Sequence, residues 1–337
     1  MGTDARSRPA RISDVAAAAG VSPTTVSHAL SGKGRVDPAT VTRVRDVATR
    51  LGYTPNQTAR NLRRGRNGLI ALMKSVDPDM PTGLTDLDHF VRLVIAASET
   101  ALARGYPLIL APPGDPAALD RTPLDGIIIL DPVTNDPLLR YARVHEVPTV
   151  TIGRDPGADR GTGNWVDNDL GQATESMLDH LEARGAEHVA LITSPPVHSW
   201  GIDIVDGYRA WAARRSMPER IVVAGGTPTE SAGYAAATEL LTGGDRPDAI
   251  HCVIDRYALG TLLAAQMLGL RVPADLLVSA GTDSEPIRTA TPTVTALELH
   301  PEIAGRCAAE ILISQLEEGT TRQQLVVPAD LIPRLST

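Results

Sequence analysis

Eight short apolar runs separated by helical stretches occupy residues 68–281, and they limit the fold more than any other feature. GLIALM (68–73), YPLILA (106–111), DGIIIL (125–130) and VPTVTIG (147–153) form one series. HVALIT (188–193), RIVVAG (220–225), DAIHCVID (248–255) and LLVSAG (276–281) form a second. Runs of this length alternating with helical segments read as βαβ units. Strands joined by such crossovers lie parallel in one sheet. Two series of similar size therefore predict two parallel-sheet lobes.

Composition bounds what the chain can be. At 337 residues it is long enough for two or three domains. A hydrophobic content of 42% and a charged content of 21% are those of a soluble globular protein. No apolar run approaches the ~18 residues of a membrane span. The opening MGTDARSRPARISD has arginines but no apolar stretch behind them, so no secretion signal is expected. Cys252 and Cys307 lie far apart and no Cys/His cluster has zinc-ligand spacing. The expectation is a cytoplasmic protein without metal or cofactor.

The net charge of −8 conceals an asymmetry. Residues 1–66 carry 12 Lys+Arg against 4 Asp and no Glu, a charge of +8, and the rest carries −16. A basic block of this size points to a polyanionic partner, above all nucleic acid, unless it is a disordered tail. Periodicity argues against the tail. Ile12, Val15, Ala16 and Ala19 recur at helical spacing and stop at Gly20. Ser22-Pro23 reads as an N-cap with proline in the first helical position, turning Val26, Ala29 and Leu30 inward. Asp37-Pro38 repeats that signal before Val41, Val44, Val47, Ala48 and Leu51, closed by Gly52. Two helices joined by a tight turn with a third packed across them make a helix-turn-helix. Its second helix exposes Thr24, Thr25, Ser27 and His28 where a solvated surface helix would carry Glu and Lys pairs. Thr24 and His28, four apart, share a face able to reach base edges, and Thr25 and Ser27 are placed for phosphate oxygens. Ser22 at the helix start and Arg35 beyond its end complete the candidate contacts.

RISDVAAAAGVSPTTVSHALSGKGRVDPATVTRVRDVATRLGYTPNQTARNLRRG resembles, over its whole length, the DNA-binding domain of the LacI (lactose repressor) family. The elements D-V-A, A-G-V-S, T-V-S, L-G-Y-x-P-N and A-R-x-L stand in order at that family's spacings. Arg11 departs from it, since the family usually caps the first helix with Thr or Ser; either Ser13 substitutes or the cap is weaker. Pro23 also departs, standing where members often present a base-reading side chain, so that reading falls on Thr24 and His28. The resemblance implies a DNA-binding domain over 1–54, a hinge helix and linker over 55–66, and an effector-binding and dimerisation domain over 67–337. In the hinge it implies DNA contacts from Asn56, Ala59, Leu62 and Arg63, with Leu62 wedged into the minor groove. An apolar wedge pays unstacking with the contacts a kink permits. A helix this short is marginal alone in water.

The same resemblance implies that residues 67–337 adopt the type I periplasmic-binding-protein-like α/β fold, with the chain crossing between lobes more than once and ligand held between them. Matching family positions gives Asp283, Asp255, Arg256, His198, Trp200, His89, Phe90 and Arg154 as candidate effector contacts. Ile254 and Ile204 stand where members usually place an Asn and a ligand-gripping Arg. A tryptophan beside a carboxylate suits a sugar, whose ring face packs on the indole while its hydroxyls bond the acid. With two isoleucines in place, a less polar ligand or none is the alternative.

No G-x-S-x-G, H-E-x-x-H or P-loop is present, so no catalytic residue is assigned and an enzyme is not expected. The G-T-G at 161–163 lacks the rest of a dinucleotide fingerprint, and VDND (166–169) reads as a helix cap rather than a metal site. A periplasmic transport binder would have a leader and no basic head, and an architectural protein would not need the second domain. The expectation is a sequence-specific regulator, a repressor, binding a pseudo-palindromic operator as a homodimer and responding to a small effector such as a sugar. Its alternative is an effector-independent regulator with a degenerate pocket. The closing LIPRLST carries no heptad helix, so no tetramerisation tail is expected.

Overall fold

The computed structural model describes residues 10–31, 35–53, 66–76, 87–319 and 322–337. The chain divides into two compact units, Met1–Asn67 and Gly68–Thr337. No described helix is long and apolar enough to cross a membrane.

The first unit holds α1 (Ile12–Ala19), α2 (Pro23–Ser31) and α3 (Pro38–Arg50). Its core is Val15, Ala16 and Ala19 of α1, Val26 and Ala29 of α2, and Val44, Val47 and Ala48 of α3. Leu51 lies just past α3 and is 38% exposed, so the buried part of the third apolar stripe ends at Ala48. Arg11 offers no side-chain acceptor at the start of α1. The Asp14 carboxylate, rather than Ser13, secures that start by accepting the Arg11 N–H at 2.8 Å. Gly20 takes the left-handed conformation (φ +67°), which lets the Val21 N–H reach back to Ala16 O at 3.0 Å and sets the turn into α2. Ser22 Oγ accepts from the Thr25 N–H at 3.0 Å, and Asp37 caps α3 through the Thr40 N–H at 3.0 Å.

Among the described residues, the second unit contains two six-stranded sheets. The first lobe has the order β11-β5-β4-β3-β1-β2, built from β1 (Ile70–Lys74), β2 (Leu108–Leu110), β3 (Gly126–Leu130), β4 (Thr149–Ile152), β5 (Trp165–Asn168) and β11 (Gln324–Val327). All its pairings are parallel. The second lobe has the order β12-β10-β9-β8-β6-β7, from β6 (Val189–Thr193), β7 (Ile221–Val223), β8 (Ala249–Cys252), β9 (Leu277–Ala280), β10 (Thr295–Glu298) and β12 (Asp330–Ile332). There only β12 runs antiparallel, against β10. Central strands are buried on both faces: Ile70, Leu72, Ile128 and Leu130 join one cluster, and Ala71, Met73, Ile127 and Ile129 the cluster opposite. That is why these strands read as unbroken apolar runs.

Helices α4 (Leu87–Ala103), α5 (Pro137–Val144) and α11 (Pro301–Glu318) cover the first lobe. The second carries α6 (Leu170–Ala183), α7 (Ser199–Arg214), α8 (Glu230–Thr242), α9 (Asp255–Met267) and the short α10 (Glu285–Thr289). The chain changes lobe after β5, after β10 and after β11. Asn168 ties the three crossings together: its Nδ2 donates to Leu299 O at 3.1 Å and to Val327 O at 2.8 Å.

Candidate DNA-reading helix and interlobe cavity

Burial of Val26 and Ala29 fixes which face of α2 looks outward. Thr24 and His28 are exposed on it, as are Ser22 and, beyond the helix, Arg35. Thr25 and Ser27 are half-buried at its edges. The Ser22 and Thr25 hydroxyls lie 2.9 Å apart, one donating to the other. One of the two hydroxyl protons is left for an outside acceptor such as a phosphate oxygen. Asn56, Ala59, Leu62 and Arg63 lie outside the described residues.

Between the lobes of the second unit is a cavity of about 140 Å³. The first lobe lines it with Lys74, His89, Phe90, Asp131, Asp167 and Asn168; the second contributes Trp200, Ile204, Ile254 and Thr282. Of the residues singled out from sequence, His89, Phe90 and Trp200 reach this space. His198 stands behind Trp200, the rings stacked with centroids 5.6 Å apart, and its Nδ1–H donates across the lobes to Asp131 O at 3.0 Å.

The other four are placed elsewhere, each held by a partner within the chain. Asp283 accepts from Arg334 at 2.7 Å and faces Arg288 at 3.3 Å. Asp255 is buried at the start of α9, its carboxylate accepting from Ser284 Oγ at 2.6 Å and from the Arg256 N–H at 2.7 Å. Arg256 faces Glu230 at 3.6 Å. Arg154 donates through Nε to Asp167 at 2.6 Å and through Nη2 to Asp203. A charge buried with its partner is costly to redirect toward a ligand, because removing it strands the partner.

Lys74, Asp131 and Asp167 were not reached by reading the sequence. The signal was present, since each lies at the C-terminal end of a strand or just beyond it, where open parallel sheets bind ligands. Lys74 Nζ is 2.5 Å from Asp131 Oδ2. Burial pushes the Asp131 carboxyl up, but Lys74, with His198 and His89 nearby, outweighs it and holds the group below the usual carboxylate range. Asp131 also has a left-handed backbone, φ +51°, unusual for a residue with a side chain. Burial pushes the Asp167 carboxyl up to about 6 against the opposing pull of Arg154. Lys74 at the cavity is thus already matched by Asp131, and Ile204 and Ile254 give its second-lobe side an apolar surface.

A family model described as bacterial regulatory proteins, lacI family, matches residues 11–56, and one described as a periplasmic binding protein-like domain matches residues 178–337. The HTH-type transcriptional regulator CelR of Thermobifida fusca is 30% identical over 344 residues, covering 98% of this chain and 99% of its own. The HTH-type transcriptional repressor PurR of Proteus mirabilis is 28% identical over 339 residues, covering 97% and 95%. Among solved structures, a CelR–cellobiose complex superposes with a TM-score of 0.73 at 27% identity, over 97% of this chain and 100% of that one. The lac repressor dimer bound to operator and the anti-inducer ONPF gives 0.74 at 22% identity over 98% and 99%, a likeness of fold.

Proposed function

The chain belongs to the LacI family of bacterial DNA-binding transcriptional regulators, and from that premise we propose that it is a sequence-specific repressor acting as a homodimer on a pseudo-palindromic operator under the control of a small effector. The carrying observation is the outward face of α2, where Thr24 and His28 stand exposed on a capped helix of a basic unit. Two-fold pairing of such helices reads two half-sites. Exposed apolar residues offer a surface for a second copy: Val91, Ile95 and Leu102 on α4, and Leu263 and Met267 on α9.

The cavity supports a compact, uncharged, hydroxyl-bearing effector. Its volume of about 140 Å³ lies below the ~300–1,000 Å³ of pockets for drug-sized ligands. Lys74 is paired with Asp131, so a phosphate or carboxylate group would have to displace that carboxylate to reach its charge. The apolar side formed by Ile204 and Ile254 favours a second reading, an effector-independent regulator.

Selection of bound sequences from a random DNA pool tests the regulatory reading. A two-fold symmetric site is expected, with preferences shifted by Thr24→Ala and His28→Ala. Leu62→Ala should weaken the selected site about tenfold or more, against a small effect on random DNA. An unchanged sequence preference in the α2 variants would remove base reading there. Thermal shift with a panel of sugars and polyols separates the two effector readings, since a dead pocket shifts with none of them.

A further inference from the structure

Arg154 stands between the lobes rather than in the cavity. Its Nε donates to Asp167 Oδ2 at 2.6 Å, on β5 of the first lobe. Its Nη2 donates to Asp203 Oδ2, on α7 of the second lobe. Asp203 is further held by Arg160 at 3.1 Å. The backbone N–H of Arg154 also crosses the gap, donating to Ser199 Oγ at 3.0 Å. One guanidinium is therefore both the partner of a carboxylate that lines the cavity and the bolt that holds the opposite lobe.

Besides Arg160, two other arginines among the described residues cross between the lobes, Arg288 to Asp88 at 3.2 Å and Arg92 to Glu298 at 3.1 Å. None of these four residues lines the cavity. They are also more open to solvent: the Arg288 side chain is 37% exposed, whereas those of Arg154 and Asp203 are 13% and 10% exposed. Screening by water and salt weakens exposed pairs most, so among these ion pairs between the lobes the Arg154 bridge is the one both well shielded and joined to the cavity.

We propose that Arg154 is the positioning residue through which the cavity sets lobe closure: a hydroxyl that donates to Asp167 takes part of that carboxylate's bonding capacity, and the guanidinium then commits to Asp203 and tightens the lobes. The inference rests on reading the cavity as the effector site. Asp167 and Asp203 compete for one cation and repel each other across it, so easing the charge at Asp167 strengthens the bond to Asp203. Asp167 is also held at a cost. Burial disfavours its charged form even with Arg154 present, so a further donor is readily accepted. Closure acts on the same seam where His198 bonds Asp131 O and bridges Val133.

Amide hydrogen exchange on the full-length protein, read at the Arg154 amide, tests this without knowledge of the ligand, because that amide is bonded to the other lobe. Asp203→Asn removes the bolt, and the Arg154 amide should exchange about tenfold faster or more, while the Leu191 amide in β6 is unchanged. Asp167→Asn imitates a carboxylate whose charge has been satisfied, and the Arg154 amide should exchange more slowly. That slowing should vanish in the Asp167→Asn/Asp203→Asn double variant. Shifts in the same direction for the two single variants, or none in either, overturn the proposal. If Asp203→Asn does not fold, Arg154→Lys carries the test, because an ammonium lacks the planar fork that sends Nε to Asp167 and Nη2 to Asp203; faster exchange at position 154 supports the relay and unchanged exchange overturns it. Selection of DNA by the wild-type protein separates this from the regulatory reading. Opposite exchange shifts without a selected site leave the relay standing alone, and a selected site without those shifts does the reverse.

Discussion

At the scale of single residues, the same side-chain type takes different roles according to what surrounds it. His28 is exposed on α2, whereas His251 is fully buried in β8 with Nδ1 2.9 Å from Ser279 Oγ and no hydrogen-bond partner at Nε2. Burial pushes the His251 imidazole down to about 4 from its ordinary 6.5. The unfolded chain therefore takes up a proton before the folded one does. The contribution to stability is intact above pH 6.5 and is lost as pH falls toward 4, by about 3 kcal/mol. Urea unfolding at pH 7 and pH 4.5 should show a wild-type loss that His251→Gln lacks; equal losses would exclude His251 as the source. Asp283 and Arg154 carry the same lesson in the other direction. Both read as ligand contacts from sequence, and both are held by charges from distant segments that sequence spacing does not bring together: Arg334 lies 51 residues from Asp283, and Asp203 lies 49 residues from Arg154.

At the scale of elements, the capped starts, the glycine stops and the buried strands were legible because each depends on neighbours within a few residues. Strands β1–β4 and β6–β9 coincide with the eight apolar runs. The strands β5, β10, β11 and β12 were not visible, being WVDN, TALE, QLVV and DLI, short and partly polar. They lie at the sheet edges or next to them, and at three or four residues each they are too short to show as apolar runs. Asp169 does cap α6, accepting the Gln172 N–H at 3.2 Å, but the residues before it form a strand and place Asp167 at the cavity. Helix α9 packs so closely on α8 that a methyl at Gly260 would overlap the backbone of Glu230 and Tyr234. Gly260→Ala should cost about 1–3 kcal/mol or more, because backbone cannot yield as a side-chain end does. Gly225→Ala, where a methyl meets nothing within 4 Å, serves as control. Chemical denaturation of both variants checks it, and a tolerated Gly260→Ala would show that the two helices are free to part.

At the scale of the molecule, the lobes are joined through three crossings that converge on Asn168. Asn168→Asp would set a carboxylate oxygen, an acceptor only, against the Leu299 and Val327 carbonyls. The cost is expected at about 1–3 kcal/mol for each acceptor left without its donor. Because those bonds link segments serving different lobes, calorimetry should show the transition of residues 68–337 broadening or splitting relative to wild type. A transition merely lowered in temperature and still single would mean that the lobes cooperate through their packed surfaces instead.

The sequence by itself determined the three-helix basic head, the pairing of two parallel-sheet lobes and the outward face of α2. Those follow from period, capping and charge, which act over one or two turns of chain. Only the tertiary structure decided which charged groups face the interlobe cavity. Lys74 with Asp131, and Asp167 with Arg154 and Asp203, are brought together by parallel strands and lobe crossings. The reason is physical: a buried charge is placed by the partner that neutralises it, and here those partners lie from 13 to 57 residues away along the chain.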